Sequence, residues 1–145
     1  MDYYVNACEQ LDGAEVLAAS GKYRLAVTLL CLSCELFLKS LAESKDPENP
    51  LLDSHDIVGL GYFICNDVDY KELAPKLAFI RKYLNDSRYP FDVNIYTEEF
   101  YRKCYESVSV TKREIDSVNA KKSVLEQLSK KFGKDKVVDK SENIK

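Results

Sequence analysis

Between Lys22 and Ser44 apolar side chains point almost all the way round the helix that the run would make, and such a helix needs partners on several sides. The pattern predicts the central helix of a bundle. From Leu25 to Ala42 it comes close to the ~20 apolar residues that a membrane span requires, but Glu35 and Lys39 sit in its second half. Each would cost roughly 2.5–3.5 kcal/mol at mid-bilayer depth, so burial in protein is the cheaper solution and no membrane partner is expected. The two residues are i and i+4 with the acid first, an order that lets them neutralise each other at the edge of a core.

The periodicity on either side predicts four more helices. The first runs from about Tyr3 to Ala19, with Tyr4, Cys8, Leu11, Glu15 and Ala18 tracing one face, widened by Val5 and Ala14. Ser20-Gly21 closes it, and so short a connection makes it an antiparallel neighbour of the central helix. Lys45 to Pro50 is a polar loop that cannot continue a helix. Ser54 then serves as N-cap of a short helix from His55 to about Ile64, burying Ile57, Leu60 and Ile64. Asp69-Tyr70-Lys71-Glu72 has capping-box spacing and opens a helix on Leu73, Leu77, Ile80 and Leu84 that ends near Asp86. Arg88-Tyr89-Pro90-Phe91 must be extended or turned, because a residue before proline is pushed out of the α region. Thr97 opens the last helix, with Tyr101, Cys104, Tyr105, Val108, Thr111, Ile115 and Val118 as its inner stripe. The spacing continues through Leu125, Leu128 and Phe132, farther than the other helices can cover, so the end either projects or packs on a second subunit.

The 145 residues suit one domain, expected over 1–132, followed by a basic, disordered tail at 133–145. Few glycines and prolines and no tryptophan favour long helices, so the expected class is all-α. The net charge of −3 conceals a body of −7 before Ala120 and a tail of +4 after it. An acidic body argues against a duplex nucleic-acid footprint, which needs clustered positive charge. Five cysteines, mostly inside apolar patterns, read as reduced core thiols of a cytoplasmic protein. Asp2, Glu9, Asp12 and Glu15 precede the first basic residue, Lys22, against a secretory signal of ordinary form.

Candidate chemistry is sparse. His55 is the only histidine, and the Glu-x-x-His spacing of di-iron bundles fails because Leu52 stands three residues before it. Cys31-x-x-Cys34 lies in mid-helix among leucines, where redox or zinc use has no support. Gly59-Leu60-Gly61 is too short for a phosphate loop. No metal and no cofactor is expected. What remains is the Glu35/Lys39 pair, His55 and Arg88-Tyr89, whose plain readings are an ion pair, a helix-start residue and a loop anchor.

Together these segments carry a resemblance. Ala26-Val27, then Cys34-Glu35-Leu36-Phe37-Leu38-Lys39-Ser40-Leu41, then Ser54-His55-Asp56-Ile57, then Leu84-Asn85-Asp86-Ser87-Arg88-Tyr89-Pro90 resemble the HEPN family (higher eukaryotes and prokaryotes nucleotide-binding domain) over about Tyr3 to Asn119. The resemblance implies an up-and-down four-helix bundle with an additional short helix, commonly a homodimer and often encoded beside a minimal nucleotidyltransferase. Many relatives are ribonucleases, frequently toxins, whose site is an Arg followed four to six residues later by His. Here the one histidine precedes Arg88 and none follows an arginine at that spacing. The chain is closer to the Arg-Tyr-Pro-containing branch, for which the resemblance implies nucleotide binding and partner association.

The expected function is therefore a non-catalytic HEPN-type module that works with a nucleotidyltransferase in a toxin–antitoxin or stress-response setting. Lys39, His55, Arg88 and Tyr89 would meet a nucleotide or single-stranded RNA, and Glu35 would support them. The alternatives are a ribonuclease with a non-standard site built from Arg88, Tyr89 and His55, and a purely structural helical adaptor.

Overall fold

The computed structural model describes residues 1–132, so the expected tail at 133–145 lies outside the described residues. The described residues fall into two units, Met1–Ile115 and a second that begins at Asp116. Six α-helices run in order, α1 (Tyr3–Ala19), α2 (Tyr23–Lys45), α3 (Ile57–Phe63), α4 (Tyr70–Arg81), α5 (Tyr83–Asp86) and α6 (Glu98–Phe132), and no strand occurs among the described residues. The all-α bundle predicted from periodicity is the observed fold. Single 3-10 turns occur at Pro50–Asp53 and Val93–Ile95.

In the first unit α2 is the central helix. Ala26, Val27, Leu30, Cys31, Cys34, Phe37, Leu38 and Ala42 are fully buried, on several sides of the helix. Against α1, Tyr4 packs edge-on to Phe37 at 5.5 Å between ring centroids, and Ser33 Oγ donates to the Ala7 carbonyl at 2.8 Å. A side chain at Gly13 would meet Leu29 Cδ1 at 3.1 Å. Partner numbers fall on one helix as they rise on the other, so α1 and α2 are antiparallel. Gly21, at φ 76°, makes the reversal that an L side chain resists.

Cys31 Sγ reaches the Ile80 carbonyl on α4 at 3.8 Å, and Cys34 Sγ lies 3.5 Å from Thr111 Oγ1 on α6. With Tyr23 beside Tyr101, α2 and the first half of α6 run parallel. Lys76–Glu106 at 2.8 Å and Glu72–Arg113 at 2.7 Å join α4 and α6 in the antiparallel sense. Helices α1, α2, α4 and α6 thus alternate in direction, which is the expected up-and-down order. The short α3 is the additional helix, burying Ile57, Leu60 and Gly61, with Ile64 at its C-cap also buried.

Local boundaries differ from the periodic reading in three places. The buried stripe of α1 is Ala7, Leu11 and Ala14, whereas Glu15 and Val5 are exposed, because the small residues are those that let α1 approach α2 closely. The N-cap of α3 is Asp56 and not Ser54: the Asp56 carboxylate accepts from the Gly59 N–H at 2.8 Å. Ser54 instead closes the preceding 3-10 turn, donating to the Leu51 carbonyl at 2.9 Å. The fourth helix is interrupted at Lys82, whose backbone nonetheless stays in the α region (φ −61°, ψ −27°). Phe79 and Tyr83 flank it and both meet Phe100 of α6 edge-on.

The second unit is described as the remainder of α6. Its apolar residues Val124, Leu125, Leu128 and Phe132 are between 44 % and 65 % exposed, unlike the Tyr101–Ile115 stripe of the first unit. The helix α2 is the one described helix long and apolar enough to cross a membrane by length and composition, and 67 % of its most apolar window is buried in the protein.

Candidate functional site

Glu35 stands on α2 with its carboxylate almost wholly buried and divided between two partners. Oε2 is 3.1 Å from Lys39 Nζ, one turn along the same helix, and the two side chains are only 4 % and 8 % exposed. Oε1 is 2.9 Å from His55 Nδ1. The new boundary of α3 explains the second contact. With Asp56 as cap, His55 lies in the connection after the 3-10 turn, free of helical geometry, and turns its ring back onto α2. A carboxylate accepts only, so Nδ1 is the donor of this contact. The histidine side chain is 69 % exposed. With Nδ1 held by Glu35, Nε2 is the ring nitrogen left to face a ligand.

Charge around this end is negative. The Tyr3 phenol is pushed up by burial and then by the carboxylates of Glu43, Asp53 and Glu35. An anionic ligand gains nothing from such a field, and Lys39 is committed to Glu35.

Arg88 and Tyr89 occupy a different place on α2. Ser87, immediately before them, is buried and held twice: its carbonyl accepts from Arg24 Nη1 at 2.8 Å and its hydroxyl meets Thr28 Oγ1 at 2.8 Å. Asp86 holds the other side of the loop, accepting from the Phe91 N–H at 3.2 Å and from the Tyr96 hydroxyl. Burial and that hydrogen bond push the Tyr96 phenol well up, so the latch stays protonated. Between these anchors Arg88 is exposed and Tyr89 and Phe91 are 85 % and 100 % exposed. Arg81 and Lys82 are exposed just upstream. Arg88 also opposes the rise of the Cys31 thiol, which burial, Cys104 and Cys34 drive, so its charge is felt on the α2 side of the loop.

The structure thus brings Glu35, Lys39 and His55 into contact and gives Arg88 and Tyr89 a separate anchor. Thr28 and Glu35, the two attachment points, are seven residues apart, which is about 10 Å along α2 and nearly the same angular position. Arg24, Thr28 and Asp86 were missed in the sequence. Their signal was present: Arg24, Thr28, Glu35 and Lys39 recur at spacings of four, seven and four, a polar line on an otherwise apolar helix.

No cluster of three or more His, Cys, Asp or Glu able to hold a metal occurs among the described residues. Cys8, Cys31, Cys34, Cys65 and Cys104 are all free thiols, and burial pushes those of Cys34 and Cys104 up to about 12, far from a reactive thiolate.

Comparison with curated proteins and with solved structures gives no match. A family model does match, the HEPN domain, over residues 1–114, which takes in the whole α2 line, His55 and the Arg88–Tyr89 loop. With that match over most of its length and an all-helical bundle, the chain belongs to the HEPN domain family, whose members are modules of nucleotide-binding and ribonuclease type.

Proposed function

We propose that this chain is a non-catalytic, nucleotide-binding HEPN module. The observation that carries the reading is the division of the candidate residues: cationic Arg88 and the exposed Tyr89 ring on an anchored loop, and an oriented His55 two turns away on the same face of α2. Phosphate goes to the cationic end, where Arg88 gives charge-assisted hydrogen bonds and Tyr89 a stacking face. His55 Nε2 makes a hydrogen bond to a polar group of the ligand. Lys39 and Glu35 act through His55, Lys39 by holding the carboxylate that orients the ring.

Hydrolysis lacks its parts. The arginine–histidine spacing of the family's ribonucleases does not occur in the chain, and the one histidine is turned toward a carboxylate in an acidic setting. Homodimerisation, association with a minimal nucleotidyltransferase, a toxin–antitoxin or stress-response setting and a cytoplasmic location complete the proposal. Calorimetric titration of ATP, GTP and a short single-stranded RNA tests the binding, with Arg88→Ala as control. Incubation with total RNA tests the absence of catalysis: cleavage that is lost in both Arg88→Ala and His55→Ala would replace this reading by that of a ribonuclease.

A further inference from the structure

We propose that the groove between α4 and α6 binds a small aromatic carboxylate, its acid group held by Lys103 and Ser107 and its ring laid against Phe79. The site shares no residue with the Arg88 loop or with the Glu35–His55 contact.

The register of the two helices assembles it. Lys76 Nζ lies 2.8 Å from Glu106 Oε1, and α4 and α6 are antiparallel. One residue back along α4 and one forward along α6 set Pro75 level with Ser107, and three residues in the other sense set Phe79 level with Lys103. These six residues line an open cavity of about 380 Å³, within the size range of small-ligand pockets.

Ser107 is 1 % exposed, and its Oγ is the one buried side-chain nitrogen or oxygen among the described residues that has no hydrogen-bond partner. Folded proteins supply such groups with a partner, and Pro75 across the groove has no N–H to give. The partner therefore comes from what enters the groove. One turn before Ser107, Lys103 is exposed and makes no ion pair among the described residues. An ammonium and a hydroxyl at i and i+4 can each donate to one oxygen of a single carboxylate. Phe79 is half-buried, with Tyr83 and Phe100 edge-on to it at 5.5 and 6.0 Å, so it stands as a fixed wall for a flat apolar body.

Glu106 already places a carboxylate here. Its side chain and that of Lys76 are 61 % and 31 % exposed, and a pair so open to water holds weakly. An incoming carboxylate displaces Glu106 to solvent, which uncovers Ser107 Oγ and leaves the ligand's charge between Lys76 and Lys103.

The test is a proton–nitrogen NMR titration of the full chain with sodium benzoate, with benzyl alcohol and inorganic phosphate as comparison ligands. Benzoate should give saturable shifts confined to the amides of residues 75–79 and 103–107, and the other two should bind about tenfold more weakly or worse. Lys103→Gln and Ser107→Ala should each weaken benzoate about tenfold, and Glu106→Gln, which removes the competing carboxylate, should tighten it about threefold. Without ligand, Ser107→Ala should leave the urea midpoint unchanged or raise it, because it deletes an unsatisfied hydroxyl. A lowered midpoint would show that the hydroxyl has a partner within the molecule, and would overturn the site. So would the absence of saturable shifts at these amides, shifts centred on Arg88, phosphate binding as tightly as benzoate, or an affinity indifferent to Lys103→Gln and Ser107→Ala.

Discussion

Replacing Glu35 by leucine removes the one acceptor that Lys39 has among the described residues. The Lys39 side chain is 8 % exposed and its ammonium is 3.1 Å from the carboxylate, so the variant leaves a nearly buried cation unpaired. Breaking a buried pair from one side costs about 3–5 kcal/mol, and the small residual exposure lets the lysine regain part of its hydration, so we expect about 2–4 kcal/mol. Lys39→Met should cost less, about 1–2 kcal/mol, because the remaining carboxylate still has His55 Nδ1. In the double variant Glu35→Leu/Lys39→Met both charges are gone and the volume is kept, so stability should return to within about 1 kcal/mol of the parent. Urea unfolding at constant m reads all four species, and the double-mutant cycle gives the coupling directly. Additive losses would show that the pair is not a unit. A loss below about 0.5 kcal/mol in Glu35→Leu would show that Lys39 reaches water unaided.

Other outcomes follow from the same geometry. Asp86→Ala removes the acceptor of the Phe91 N–H and the Tyr96 hydroxyl, and should cost about 1–3 kcal/mol and expose the Arg88–Tyr89 bond to trypsin, read as faster cleavage at that site. In the native protein an Ellman-type reagent should titrate the half-buried Cys8 and Cys65 and leave the buried Cys31, Cys34 and Cys104 untouched until denaturant is added. The hydrogen bond to Glu15 holds the Tyr105 phenol up at about 12, above its unfolded value, so the folded state binds the extra proton. Its contribution is therefore complete below about pH 10 and disappears as pH rises toward 12; Glu15→Gln should flatten the loss of stability seen in alkaline unfolding over that interval.

The helices were legible because their core positions keep strict helical spacing. Ile57, Leu60, Leu73, Leu77, Ile80, Cys104, Val108 and Ile115 are all buried as the periodicity requires. Caps were less legible. Ser54 and Asp56 are both good cap residues two positions apart, and only the folded backbone shows the first closing a 3-10 turn and the second opening α3. Pattern alone misplaced the buried face of α1 because alanine and glycine carry little apolar weight, although their small size is what brings α1 against α2. In the candidate site, Glu35 and Lys39 were readable from their helical spacing. Their link to His55 was not, since it depends on a loop turning back across 20 residues. The Arg88 loop was readable as extended or turned from Pro90, and it turns at Arg88, but its anchors Arg24 and Thr28 lie 63 and 59 residues away from Ser87, beyond any local signal.

Nucleotide binding at the loop beside α2 is the property to measure first. Titration of the intact protein with ATP, GTP and a short single-stranded RNA should give saturable heat with at least one of them, abolished in Arg88→Ala and reduced in His55→Ala, with helical content unchanged in both variants. No heat with any of the three at millimolar concentration, or heat that Arg88→Ala leaves intact, would contradict it.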